Sequence, residues 1–525
     1  MITVTKTLYR EFLECPKYSW YHINRTEDYN YIQENRYWSE EDFEEDATES
    51  EEQQVENLFL SHYSSIRITN LSGYRKDPNT LHDKTLQAIN DKEHVIYQWW
   101  LLSGNIFTIF DILLYDQEKN GYILLEIKSK NNIRNSNQRE TLKEEIVNDI
   151  SIQNYVLKNF TLVTDVQIGH LNKEYRKVGK IDVYNIAKTE SVITEIQDDQ
   201  IVQDNLGVIS QALTMSEDEF DKKFPYDWCK SLLYFWTRDS SRSKGNIFSI
   251  PRITQAKIWD KDNNVKAVIE WYENGIEKIE DIPQEDIDQL SPSYKLFIKK
   301  YLQGDSIEKE LIRGLFTQLE FPLFFYDYET INIPIPFLDN TWPWQQVVCQ
   351  YSLHRLDSLS MLDNPENIPH FEWLIESEAT DNKEVIAKFV RDIGEVSTWT
   401  FVVWHKWFEC SRNSEIMTLF PEFSETFSYI NTHTFDLKDL VSGEHDYAYF
   451  LRDFRWSASI KYVLPAMTDM TYDWMNIPNW RIAADTIKRL LLQDNLDSRN
   501  DLLTYCKQDT FAMVKIFEKL HTLIA

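Results

Sequence analysis

Residues 321–357 read FPLFFYDYETINIPIPFLDNTWPWQQVVCQYSLHRLD, and the opening of this stretch decides how the rest is read. Leu323 to Tyr326 is a compact, aromatic-rich apolar run preceded by Pro322, which predicts a buried strand. Asp327 and Glu329 follow, two residues apart. Side chains alternate along a strand, so both carboxylates leave the same face. Two like charges held that close are costly unless a cation lies between them. Mg²⁺ or Mn²⁺ is the natural cation, because hard divalent ions prefer oxygen ligands and are often held by one or two carboxylates together with substrate phosphates. Such a site is the opening part of a two-metal phosphodiesterase. The competing reading of an isolated Asp-x-Glu is a strand end with two solvated acids.

The chain has 525 residues, which at roughly 100 to 200 residues per domain predicts two to four domains. A hydrophobic content of 42%, with 17 Trp, 28 Tyr and 28 Phe, is enough to fill folded cores. No stretch reaches the roughly 18 apolar residues of a membrane span, and MITVTKTLYREF lacks the apolar centre of a signal peptide, so a cytoplasmic protein with no membrane partner is expected. Five scattered cysteines without a CxxC argue against a disulfide framework. The net charge of -30 opposes broad attraction to nucleic acid. Ten acids and no Lys or Arg lie between Glu40 and Glu56, so part of this charge is one solvated tract. A nucleic-acid site would have to be a local groove assisted by bound metal.

In the amino-terminal half, Thr5 can cap a helix carrying Leu8, Phe12 and Leu13, which Pro16 stops. A second helix carries Glu56. Residues 106–115 (IFTIFDILLY) and 122–130 (YILLEIKSK) are strands joined across Asn120-Gly121, a hairpin turn signal. Asp111 interrupts the first strand, and Glu126 and Lys128 share a face of the second. One acid facing an acid and a lysine can hold one or two metal ions and set an ammonium against a phosphate or attacking water. The alternative is that Lys128 merely pairs with Glu126. A helix follows over 141–158, with Asp149, Gln153 and Tyr155 as its polar or amphipathic positions.

Asp111, Glu126-Ile127-Lys128 and a helix bearing Gln153 and Tyr155 resemble the PD-(D/E)XK nucleases of the RecB-like type, including the CRISPR-associated Cas-four-like exonucleases. FLECPKYSWYH and HLNKEYRKVGKID are similar to further segments of that group, so the resemblance covers residues 1–250. It implies that Asp111 and Glu126 bind metal, that Lys128 is catalytic, that Gln153 and Tyr155 support the site, and that Glu56 stands near a further ligand position. Many of these nucleases carry a four-iron cluster. Cys15 and Cys229 fit two of its places, but Phe235 stands near the last, so an iron-sulfur cluster is not expected and both cysteines are read as small buried residues.

Residues 251–320 read as a linker module, with a small strand pair around Asn263-Asn264 and two helices broken at Gly304-Asp305, where Asp305 can cap the second. In residues 321–525, the strand from Thr400 places Glu409 just beyond its end, and a last helix carries Tyr505 and Asp509 four residues apart on one face. Asp509 can ligate metal while Tyr505 orients water. This order resembles the DEDDy branch of the ribonuclease H-like 3′-5′ exonucleases, with Asp327, Glu329, Glu409 and Asp509 as metal ligands and Tyr505 as a catalytic residue. That superfamily usually has Asp where Glu409 stands, and Asp436 is a rival third ligand. YDYETINIPIP, WPWQQVVCQYSLH, SIKYVLPAMTDMTY and YCKQDTFAMV resemble a bacterial family, the domain of unknown function numbered 2779, whose members commonly join a RecB-like region to this domain. Gln345, Gln346, His354 and Lys461 are either substrate contacts or buried hydrogen-bonding groups.

The expectation is a mixed α/β protein with a PD-(D/E)XK restriction-endonuclease-like core and a ribonuclease H-like exonuclease core. It would act as a Mg²⁺- or Mn²⁺-dependent nuclease with DNA as the expected nucleic acid. The alternatives are a catalytically degenerate nucleic-acid-binding or regulatory protein and a protein-interaction scaffold.

Overall fold

The computed structural model describes residues 2–35, 49–74, 76–135, 140–224, 245–251, 274–375, 382–394, 398–454, 458–493 and 498–525, with isolated positions between 252 and 273. Most of the acidic tract, Cys229, Phe235 and the Asn263-Asn264 turn lie outside the described residues. The fold is mixed α/β. The chain divides into two compact units, residues 1–236 with 333–345, and residues 237–332 with 346–525. The segment expected as a linker module thus groups with the second unit, and thirteen residues following the first carboxylate strand group with the first.

The first unit is built on strands β1 (Val4–Thr5), β2 (Ile68–Asn70), β3 (Val95–Ser103), β4 (Ile106–Asp116), β5 (Gly121–Lys128), β6 (Val163–Leu171) and β7 (Ala187–Ser191). Their order is β2-β3-β4-β5-β6-β7, with β1 parallel to β4. β4 and β5 form the expected hairpin: Asn120 takes φ 51°, and a Cβ at Gly121 would meet Leu162 O at 2.6 Å. Helix Glu144–Leu157 covers one face, packing Ile146 and Ile150 on Trp99, Phe110 and Leu124. Helix Glu49–Ser61 packs Val55, Leu58 and Phe59 with Tyr97, Ile112 and Leu125, so neighbouring strand residues serve two cores.

Helix Lys6–Glu14 begins as expected, with Thr5 Oγ1 accepting from Leu8 N at 3.0 Å. Pro16 does more than stop it. It opens helix Pro16–Asn24, where its missing N–H is harmless because first-turn donors have no intrahelical acceptor. Cys15 is buried and disulfide-bonded, against the expectation that the scattered cysteines form no such bond; their positions carry no spacing signal for it.

Residues 333–345 complete this unit. Trp344 is buried in the Val55, Phe59, Tyr97 and Tyr175 cluster, and its indole N–H donates to Ser129 O. Asp339 Oδ1 accepts from Gly179 N at 3.0 Å and pairs with Lys177 Nζ at 2.6 Å, while Arg176 lies over the Trp342 ring. Trp344→Ala is expected to destabilise this unit by about 3–5 kcal/mol, the usual cost of deleting a buried aromatic. Chemical denaturation read by the exchange of buried first-unit amides checks this, and an unchanged midpoint would refute it.

In the second unit, β8 (Ile258–Trp259) and β9 (Val265–Lys266) form the expected small antiparallel pair. β10 (Ser306–Ile307) pairs with β16 (Tyr449–Phe450). Asp305 does not cap the helix Lys309–Phe316, whose N-cap is Glu308; instead it accepts from Arg452 N at 2.8 Å, because β10 intervenes. The main sheet comprises β11 (Leu323–Ile331), β12 (Val347–Leu356), β13 (His370–Leu374), β14 (Thr400–Val403) and β15 (Thr434–Asp436), ordered β13-β12-β11-β14-β15. β11 to β13 are antiparallel, and β14 and β15 run parallel to β11. Phe324, Tyr326 and Tyr328 pack with Phe389, Phe401 and Phe427 on one face. On the other, Phe325 meets Phe517 of the carboxy-terminal helix Arg499–Ile524. That helix is fixed to β12 by Gln350 Nε2 donating to Leu502 O (3.0 Å) and by Thr510 Oγ1 against Ser352 Oγ (2.7 Å) and His354 Nδ1 (2.9 Å).

Candidate metal centres

In the first unit, Asp111 on β4, Glu126 and Lys128 on β5, and Gln153 on helix Glu144–Leu157 come together. Lys128 Nζ lies 3.2 Å from Glu126 Oε1 and 2.8 Å from Asp149 Oδ2. Gln153 Nε2 donates to Glu126 Oε2 at 2.7 Å and to Ile109 O at 2.9 Å, which fixes the amide between helix and sheet. Asp111 Oδ2 accepts from Ile127 N at 2.7 Å. Opposite Asp111 the β3 ladder breaks: Tyr97 pairs with Ile112 and Trp99 with Phe110, while Gln98 between them takes φ 56°. This left-handed residue donates from Nε2 to Glu56 Oε2 at 2.7 Å, so the strain holds a carboxylate from helix Glu49–Ser61.

Charge in this cluster is unevenly shared. Burial, then Glu126, then Glu56 raise the Asp111 carboxyl well above its usual range. Burial also opposes ionisation of Glu126, but Lys6 and Lys128 overcome it and bring its carboxyl down to about 2. Burial disfavours the Lys128 ammonium, and Asp149 and Glu126 more than offset this, so it stays protonated. Lys6, Asp149 and Gln98 are additions that the sequence did not assign roles. Lys6 is 120 residues from Glu126, and nothing local signals such a pair. Tyr155 is placed elsewhere, among the apolar side chains between the helix and its neighbours.

In the second unit, the acid-bearing face of β11 lies under the carboxy-terminal helix. Among the described residues, donor atoms of Asp327, Glu329 and Cys506 all lie within 4.8 Å of one another. Asp509, one turn beyond Tyr505, accepts from Tyr472 OH at 2.6 Å. Lys461 Nζ donates to Tyr505 OH at 3.0 Å. Glu409 sits in the first turn of helix Lys406–Leu419, directly after β14, and its carboxyl faces that of Asp327 at hydrogen-bonding range.

Asp436 is occupied otherwise. Its Oδ2 accepts from Lys406 N (2.8 Å) and its Oδ1 from Lys438 N (3.0 Å), capping the short helix Leu437–Val441. Burial pushes it up to about 6. Glu409 therefore, and not Asp436, is the acid brought to Asp327. His354 is buried in the Thr510 bond, and Gln345 Oε1 accepts from Trp342 N at 3.3 Å, so both hold backbone and helix in place. Cys506 and Tyr472 were not identified from sequence. Cys506 lies one residue from Tyr505, a position a helical wheel places beside the site, but nothing in its type required a ligand there.

The donor set fits a hard divalent ion. Burial first, then the neighbouring acids, raise Asp327, Glu329 and Glu409 well above the ordinary carboxyl range. Among the described residues no N–H or O–H reaches the buried Glu409 Oε2. Oxygen-rich, charge-starved groupings of this kind are what Mg²⁺ or Mn²⁺ relieves, while the buried Cys506 thiol, raised by burial and by Asp327, is a poor ligand for either.

Residues 324–459 match a family described as Domain of unknown function (DUF2779). The match takes in Asp327, Glu329 and Glu409 and ends before Tyr505 and Asp509. Uncharacterized protein MG366 of Mycoplasma genitalium is 30% identical over 219 residues, which covers 38% of this chain and 32% of that protein. Its homolog in Mycoplasma pneumoniae is 27% identical over 213 residues, covering 37% and 31%. The chain thus spans about a third of the length of these curated relatives. No solved structure matches. Among the described residues, no helix is long and apolar enough to cross a membrane.

The raised carboxyls set a sign for pH dependence. A group whose folded pKa is raised keeps its stabilising proton at low pH and loses it as pH rises through the folded value. Metal-free protein should therefore lose second-unit stability from about pH 4 upward, and Mn²⁺ should restore it most at the higher pH. Glu409→Gln should flatten the metal-free slope and reduce the Mn²⁺ gain. Melting temperatures of both proteins in chelator and in Mn²⁺ across pH 5 to 8 on the order of half-unit steps provide the check. A wild-type slope of the opposite sign, unaffected by Glu409→Gln, would contradict it.

Proposed function

We propose that the chain is a metal-dependent nuclease with two centres, hydrolysing phosphodiester bonds of nucleic acid, with DNA as the expected substrate. The observation that carries this is the convergence of Asp327, Glu329 and Glu409 with Asp509 of the carboxy-terminal helix, which also presents Tyr505, in the combination expected of a ribonuclease H-like 3′-5′ exonuclease. The position of β11 at the middle of its five-stranded sheet fits that reading. Asp111, Glu126 and Lys128, on adjacent strands with Gln153 behind them, support a PD-(D/E)XK assignment for the first unit.

Divalent ions would be held by Asp327, Glu329, Glu409 and Asp509 in one centre and by Asp111 and Glu126 in the other, where they would neutralise phosphate charge and lower the pKa of water. The remaining roles belong to the chain. Lys461 donates to Tyr505 OH, leaving the phenol proton free to orient a water or phosphate oxygen. Tyr472 holds Asp509 in one rotamer. Lys128, kept protonated by Asp149 and Glu126, is an ammonium set for a developing negative charge. Bound cations also answer the repulsion expected from a chain of net charge -30.

The test is degradation of end-labelled single- and double-stranded DNA and RNA with Mn²⁺, alongside calorimetry of Mn²⁺ uptake. Asp111→Ala and Asp327→Ala should each remove one activity, by about 100-fold or more, and Tyr505→Phe should slow the second centre by about 100-fold. A double alanine variant that cleaves like the wild type would overturn both assignments. Mn²⁺ uptake and oligonucleotide binding with no cleavage by the wild type would leave the nucleic-acid-binding alternative in its place.

A further inference from the structure

The amino-terminal helix carries two cations to the first carboxylate cluster. Lys6 and Arg10 are four residues apart in helix Lys6–Glu14, and so share one face. Lys6 Nζ lies 2.8 Å from Glu126 Oε1, and Arg10 Nη1 lies 3.7 Å from Asp149 Oδ2. The two acids are buried, whereas the Lys6 and Arg10 side chains remain 23% and 37% exposed. Both cations therefore touch the cluster from its solvent side.

Lys128 already bridges the same two acids. Lys6 helps hold the buried Glu126 carboxyl ionised, and Arg10, the more open of the two, stands at the solvent edge of Asp149. Lys6 is paired with Glu126, one of the acids that would hold a divalent ion in the proposed centre. An ion held there would compete with the Lys6 ammonium, which shares its helix face with the Arg10 guanidinium. An ammonium and a planar guanidinium on one helix face match the oxygens of a phosphodiester backbone, the guanidinium by its paired donors and the ammonium as a compact charge. In a chain of net charge -30, such a local pair is what draws a polyanion in.

We propose that Lys6 and Arg10 form a phosphate clamp for the nucleic-acid backbone at the first centre, held on Glu126 and Asp149 until a divalent ion displaces Lys6. This rests on the nuclease reading of that centre and deepens it, by naming the residues that recognise the backbone rather than the bases.

The full-length chain carrying Asp327→Ala and Glu329→Ala, which silences the second centre, is the background for the test. Mn²⁺ uptake is read by calorimetry, and binding of a fluorescent, cleavage-resistant phosphorothioate DNA strand by anisotropy at several salt concentrations. Lys6→Met should tighten Mn²⁺ binding by about threefold or more, as expected when a competing cation is removed, and weaken strand binding. Arg10→Met should leave Mn²⁺ binding unchanged. Each substitution should lower the salt slope for single-stranded DNA by about 0.7, the value of one phosphate contact. Lys6→Arg should keep strand binding, which separates loss of charge from loss of folding. Normal Mn²⁺ uptake with unchanged strand affinity and salt slope in both methionine variants overturns the clamp alone. No Mn²⁺ uptake by the background chain overturns the nuclease reading of this centre, and the clamp with it.

Discussion

Burial of the β11 acids beneath the carboxy-terminal helix is the constraint on which the second unit turns. Asp327, Glu329, Glu409 and Asp509 are close together and largely withdrawn from bulk water, and carboxylates in such surroundings cannot all ionise without a counter-charge. The fold holds them there through contacts away from the acids. Gln350, Ser352 and His354 on β12 bind Leu502 and Thr510, and Phe325 packs on Phe517. The apolar underside of β11 then anchors the strand from behind. Packing and neutral hydrogen bonds away from the acids thus fix the strand and the helix that carry them.

The two centres solve the same electrostatic problem by different means. In the first, Lys6, Lys128 and Arg10 face Glu126 and Asp149 and hold both carboxyls below their usual range, while Asp111 is raised above it. In the second, Lys461 donates to Tyr505, and burial with mutual repulsion raises the acids well above the ordinary carboxyl range. If the centres hold divalent ions as proposed, an ion would compete with an ammonium in the first and with protons in the second. Metal occupancy of the two should therefore respond to different variables, ionic competition in one and acidity in the other.

Much of this was legible in the sequence because it depends on short periods. The two-residue spacings of Asp327 with Glu329 and of Glu126 with Lys128, and the four-residue spacing of Tyr505 with Asp509, are local geometry. The Asn120-Gly121 hairpin was readable for the same reason. The choice between Glu409 and Asp436 was not, since Glu409 follows one strand parallel to β11 and Asp436 ends another. It is decided by capping: Asp436 is consumed by the N–H groups of Lys406 and Lys438, and Glu409 is left to face Asp327. Lys6, Tyr472 and Cys506 were missed because their partners lie far away in sequence and their residue types carry no motif. The strained Gln98 was invisible too, for its backbone is imposed by what it holds, not by its own preference. The disulfide at Cys15 falls in the same class.

The return of residues 333–345 to the first unit has a consequence for the order of events during synthesis. A ribosome that has finished residue 236 has released most of that unit, yet the Trp344 that fills its core and the Asp339 that ties Lys177 have not been made. The missing piece arrives only after β11 has been translated and before β12, its antiparallel partner, exists. The first unit therefore cannot close until the first strand of the second unit's main sheet has been made, although its sequence is complete at residue 345, before β12 and everything after it exists. Its last core residue is delivered by the segment between β11 and β12, so an amino-terminal unit waits on chain that lies beyond part of its successor.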